Sequence, residues 1–480
     1  MLTDDANENL SRISLWQRVR EFAVPPSMID NATARRRAGD WAGACAAAGF
    51  DVDLDLRELA RRYGRGLAAR VRADLRYLAP DLLRWHMPRG APDGLLRAGL
   101  TITLARYGPE GFENPFGTTG SVELVVRTAP EWADAGQRIS LALWGESLAA
   151  AGTGLHPHPR PDRRFRLDLH RHLWDARRSD ELLMRSGAVE SAAGAVAGAR
   201  PAAGRGDPRA SGHVDPAILS WAERGCAVDR WADEARILLR SQGRAGGPLL
   251  VRPGARQRLV VEPAEHGDDP HLRVIDDFPA GELSGLPVLP DAATRTLPDL
   301  ELLRAAAITA DRLHPLVAAA LVRDHVPRVR SGAVSVSEQA RSVECRGERH
   351  RIGLRDGVLT ALDHDPGEVR REELLAALTG TPLPCLQAID RAHRQPDCLA
   401  GVRERLSHGD IDGVLAIVED LLGPEAVLRP GALRDELEAA AERRVRYGMF
   451  RAGLSAPDPG IRRAPRPAGR DHPRLATIER

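Results

Sequence analysis

At about residue 98 the apolar residues of this chain change their period. Upstream, "SLWQRVREFAV" and "LDLRELARRYGRGLAARVRADLRYLAPDLLRW" repeat apolar positions three and four apart, the spacing of helices that bury one face. Downstream, "LTITLARY", "SVELVVRT" and "QRISLALW" alternate apolar and polar residues between Gly/Pro-rich turns, which predicts an antiparallel meander. Pro25–Pro26 stops the first helix, and Gly64 and Gly66 break the pattern between two later ones. The expected class is therefore α+β, with more than one domain.

The same reading divides the chain. Residues 1–96 are expected to be helical, and 97–186 to hold the β-meander, a His/Arg-rich segment and a helix near 173–186. Residues 187–214, "GAVESAAGAVAGARPAAGRGDPRASGHV", have little to bury and are expected to be a flexible linker. A small α+β unit is expected over 215–330, with a hairpin in "PLLVRPGARQRLVVEP". A β-hairpin plus helices is expected over 331–454. There "SVECRGERHRIGLRDGVLTALDHD" alternates through Ile352, Leu354, Val358, Thr360 and Leu362, and Asp356–Gly357 fits a type I′ turn. Helices are predicted at 368–379, 384–394, 397–407, 411–422 and 431–452. The tail 455–480, with six arginines against three acids, is expected to be disordered and basic. All eight tryptophans lie at or before Trp231, so the two halves must build their cores differently.

Composition removes several chemistries. The chain has no lysine: all 68 basic residues are arginine. Schiff-base catalysis, the standard phosphate loop ending in GK, and the kinase strand lysine are therefore excluded. Net charge is +1, so no global field favours nucleic acid or an anionic membrane. Cys45, Cys226, Cys345, Cys385 and Cys398 are scattered, and the absence of any CxxC argues against a zinc ribbon or a disulfide framework. No secretory signal and no run long enough to span a bilayer is read, so the expected location is the cytoplasm.

The richest candidate site is "HPHPRPDRRFRLDLHRHLWD", residues 156–175. As a strand, "FRLDLHRHLW" would turn Phe165, Leu167 and Leu169 inward and place Asp168, His170 and His172 on the other face. Those side chains are zinc or iron ligand types, with His156 and His158 as further candidates from the preceding loop. Against that stand the chance frequency of His–X–His among fifteen histidines and the prolines around His156 and His158. The expectation is an exposed, arginine-rich strand edge and loop without a cofactor, zinc or another divalent metal being the alternative. Arg163, Arg164 and Arg166 are its candidate contacts to an acidic or phosphate-bearing partner.

Other constellations are thinner. "ALDHDP" sets Asp363, His364 and Asp365 at a strand end with His350 on the preceding strand, one element of a His-Asp phosphohydrolase. A turn capping the next helix explains the same residues. His86 reads as a packed histidine, and a helix-turn-helix over 51–76 is diluted by acids. No GxSxG, GxGxxG after a strand, or HExxH is present. With no complete catalytic set, the expected function is a non-catalytic cytoplasmic interaction or regulatory protein with a protein partner and unread oligomeric state. A metal-dependent hydrolase built on 156–172 and a nucleic-acid-binding regulator are the alternatives.

Overall fold

The computed structural model describes residues 2–108, 121–133, 137–145, 156–187, 216–254, 256–266, 269–322, 325, 341–380 and 382–454. The expected linker, apart from Gly187, and the expected tail lie outside them. The chain forms two compact units, one from Met1–Pro130 with Arg138–Pro327, the other from Glu131–Gln137 with Arg328–Ser455. The fold is α+β, as the change of period predicts.

The first unit opens with α1 (Leu2–Phe22) and α2 (Pro26–Arg37), the latter started by a proline whose fixed φ suits a first helical position. α3 (Trp41–Ala47) begins at Asp40, whose carboxylate accepts the Gly43 amide. A strand unread in the sequence follows, β1 (Phe50–Asp53); at four residues it is too short to show a period. α4 (Leu56–Tyr63) and α5 (Arg65–Tyr77) part at Gly64, where φ is +90°, and α6 (Pro80–His86) completes the helical run.

The meander is β2 (Thr101–Tyr107), β3 (Val122–Thr128) and β4 (Ile139–Trp144), antiparallel throughout. β1 adds to its edge in parallel with β4, giving the order β1-β4-β3-β2. All seven residues of β3 are buried, so this sheet is covered on both faces.

The expected helix near 173–186 is reduced to 3₁₀ turns and the single turn α7 (Leu182–Arg185). Asp175 takes both its oxygens to Arg177 and also bonds Arg171, so the polar residues there serve loop ion pairs. α8 (Pro216–Glu223) and α9 (Trp231–Ser241) precede a second sheet. That sheet is β5 (Leu249–Val251), β6 (Leu259–His266) and β7 (Asp269–Val274), with β6 central and both pairings antiparallel. α10 (Asp291–Thr294), α11 (Pro298–Arg304) and α12 (Pro315–Leu321) follow. One apolar core unites Val19, Leu82, Trp85, Ile102 and Trp174 with Leu302 and Val317. Within it Arg20 forks onto both oxygens of Asp299 at 2.8 Å, and Trp85 Nε1 donates to the same carboxylate.

The second unit starts with β8 (Arg341–Cys345), β9 (Glu348–Arg355) and β10 (Val358–Ala361), an antiparallel sheet in order β10-β9-β8. Asp356 and Gly357 have φ of 54° and 75°, the positive pair that the expected type I′ turn requires. Five helices follow: α13 (Pro366–Thr379), α14 (Pro384–Arg394), α15 (Leu399–His408), α16 (Ile411–Leu422) and α17 (Ala432–Arg451). They match the predicted series to within a few residues at each end. Among the described residues, no helix is long and apolar enough to cross a membrane.

Candidate metal centre

Four donors from four different elements of the second unit converge. Cys345 ends β8, His350 lies on β9, His364 follows β10, and Cys385 opens α14. One ligand atom from each lies within 4.8 Å of every other. Tetrahedral zinc with bonds of about 2.0–2.3 Å separates its donors by roughly 3.3–3.8 Å, so small side-chain adjustments close this set around one ion.

Local rules explain the placement. Arg346 and Gly347 have φ of 55° and 83°, a second two-residue turn that pairs Cys345 with Glu348 and Val343 with His350. Residues paired across antiparallel strands share a face, so Cys345 and His350 project to the same side. Ile352 and Ala361, paired on β9 and β10, lie on that side as well. α14 packs there through Cys385 and Ile389, one helical turn apart, forming a small core with Cys345, Ile352 and Ala361. His364 is fixed by its neighbour: Asp365 caps α13 by accepting the Gly367 and Glu368 amides.

The electrostatics suit a cation. His350 Nδ1 and His364 Nε2 face each other at 2.6 Å, their rings edge to face. Their other nitrogens each meet a glutamate: His350 Nε2 is 3.6 Å from Glu348 and His364 Nδ1 is 3.7 Å from Glu368. A carboxylate behind the non-ligating nitrogen orients an imidazole and strengthens it as a donor. Arg346 in turn holds Glu368 at 3.3 Å. Burial, then the neighbouring Cys345 sulfur, pushes the Cys385 thiol pKa upward, and a dication at this point reverses both effects by binding thiolate.

The histidine segment of the first unit is arranged differently. Arg166 meets Thr103 in an isolated bridge, and Arg171–Leu173 form a 3₁₀ turn, so "FRLDLHRHLW" is not the strand that would align Asp168, His170 and His172. Turns closed within the segment, such as His170 N to Leu167 O, replace the ladder. Asp168 accepts both arms of Arg166 at 2.7–2.8 Å. His170 bonds Arg166 O through Nδ1 and stands 3.2 Å from Glu234 through Nε2. His172 is buried, and its pKa is held well below the ordinary value by desolvation, then by His170 and nearby arginines. His156 Nε2 meets Thr128 O at 2.9 Å, while its Nδ1 accepts from the backbone of the exposed His158. Among the described residues these five do not converge as a donor cluster. The candidate partner contacts are also engaged: Arg163 with Ser284 O, Arg164 with Asp291, and Arg166 with Asp168.

Sequence reasoning noticed His350 and His364 but set the cysteines aside. The local signal was Cys345 with His350 after four intervening residues, across a two-residue turn. Comparison with protein families, with curated proteins and with solved structures finds no match to this chain.

Proposed function

We propose that the chain is a non-catalytic cytoplasmic interaction or regulatory protein whose second unit is ordered by one structural zinc ion. The observation that supports this reading is the donor set itself, two cysteines and two histidines mutually within 4.8 Å. Four protein ligands fill a tetrahedral zinc site and leave no position for the water or substrate that a catalytic zinc keeps open. Thiolate with imidazole selects zinc over the harder calcium and magnesium. Among the described residues none of the five cysteines is in a disulfide, which agrees with a reducing compartment.

Elemental analysis of the purified full chain tests the reading. About one zinc per chain is expected, with Cys345→Ser plus Cys385→Ser lowering it to a small fraction. Absence of zinc from protein produced in zinc-supplemented medium, or full retention by the double variant, overturns it.

A further inference from the structure

The first unit carries a half-open cleft of about 1460 Å³ walled by eleven arginines against four carboxylates among the described residues. Internal pairing neutralises part of this charge. Arg12 meets Glu301 at 3.1 Å, Arg164 meets Asp291 at 2.7 Å, and Arg185 meets Glu234 at 2.7 Å. Arg20 and Arg166 are satisfied by Asp299 and Asp168.

Four wall arginines bond no carboxylate among the described residues. Arg89 donates to the carbonyls of Arg84 and Gly94 at 3.0 and 3.4 Å. Arg295 reaches the carbonyl of Arg224 at 3.5 Å. Arg97 and Arg224 lie over the rings of Phe165 and Trp221 at 5.8 and 4.9 Å. Burial, reinforced by the neighbouring Arg84 and Arg20, pushes the Arg89 pKa downward, the sign of a cation short of compensation. His172 lines the same wall, 4% exposed, and its Nδ1 has no hydrogen-bond partner among the described residues.

Arg97, Arg224 and Arg295 are solvent-exposed, so gathering these guanidinium groups costs free energy through mutual repulsion, with desolvation added at the half-buried Arg89, unless an anion offsets it. The guanidinium fork matches phosphate oxygens two at a time, and an arginine lying over an aromatic ring still presents its N–H edge. The space far exceeds that needed for a single inorganic ion and is ample for a small organic ligand, for which roughly 300–1,000 Å³ is usual. We infer that this cavity binds a small ligand carrying two or more phosphate groups, held by Arg89, Arg97, Arg224 and Arg295. The inference is independent of the metal centre, which belongs to the other unit.

Calorimetric titration of the full chain with ATP, inorganic tripolyphosphate and adenosine tests it, at low and at physiological salt. Both phosphate compounds are expected to bind one per chain, more weakly as salt rises, and adenosine not at all. Arg89→Ala with Arg224→Ala should weaken binding about tenfold or more, the scale of one lost charge-assisted bond. Arg97→Ala, at an exposed position, gives the same readout without threatening the core. Arg61→Ala, at a surface pair with Glu58, should leave affinity unchanged. Failure of both phosphate compounds to saturate near millimolar concentration, or equal affinity in the cavity variants and the parent, overturns the proposal. Tighter binding of ATP than tripolyphosphate would extend it to a nucleotide.

Discussion

Glu234 in α9 serves three basic side chains with one carboxylate: both arms of Arg185 at 2.7 Å, His170 at 3.2 Å and Arg230 at 4.0 Å. Burial alone would raise its pKa, but the bonds from His170 and Arg185 outweigh burial and bring it to about 2. His86 is displaced for another reason: desolvation, with Arg20 adding to it, lowers its pKa to about 4 against the pull of Asp299. Both shifts make the folded state bind fewer protons than the unfolded chain, so stability falls as pH falls. The windows differ. For His86 the loss runs from about pH 6.5 to 4, and for Glu234 from about pH 4.5 to 2, each approaching about 3 kcal/mol. Urea denaturation over this pH range should show His86→Gln flattening the upper window and Glu234→Gln the lower one. A parental slope in either variant contradicts the assignment of that window. Neither group was singled out by sequence as titrating abnormally, because burial sets the His86 shift and sequence-distant partners set that of Glu234, which lies 64 positions from His170 and 49 from Arg185.

At the scale of elements, two glycines of the second unit separate backbone strain from steric collision. Gly380 ends α13 at φ +74° with open space where a Cβ would stand. Gly423 ends α16 at φ +93°, and a Cβ there would fall 1.8 Å from the Gly357 carbonyl oxygen in the β9–β10 turn. Gly380→Ala should therefore cost about 1 kcal/mol, the ordinary cost of left-handed backbone for alanine. Gly423→Ala should cost at least twice that, because the turn or the helix end must shift. Equal losses in chemical denaturation would show that the turn yields freely. The helices of this unit were legible because prolines and glycines punctuate them: Pro366 and Pro384 sit at first positions, Gly380, Gly409 and Gly423 just past the ends. The segment 173–186 misled because its apolar spacing is helical while Arg171, Arg177 and Asp175 commit it to ion-paired turns. β1 was invisible because its partner β4 lies almost ninety residues away.

Across the whole molecule, the two units differ in what holds them. The first has a large continuous core that runs from Val19 to Ala318. The second has a helical core of seven buried residues, Ala392 of α14 among them, and around the metal centre a smaller one of five, Cys345, Ile352, Ala361, Cys385 and Ile389, two of which are ligands. A core that small contributes little hydrophobic stabilisation by itself, at about 25 cal/mol per Å² of buried apolar surface. On the proposed reading, a metal joining four elements would add to it, and its binding free energy would become folding free energy for this part of the chain. The sequence hid the centre for the same reason. Each ligand comes from a separate element, with 39 residues between Cys345 and Cys385, so no dense local motif marks it. Hydrogen exchange on the full chain, with and without a strong zinc chelator, should therefore divide the molecule. Amides of β8, β9, β10 and α14 should lose at least about tenfold in protection, the consequence of losing only about 1.4 kcal/mol of local stability. Amides of β2, β3 and β4, which depend on the large core, should keep theirs. Uniform loss across both groups would mean that the chelator acts by general destabilisation. Unchanged protection in the β8–β10 sheet would mean that the apolar packing suffices and the four donors carry no structural metal.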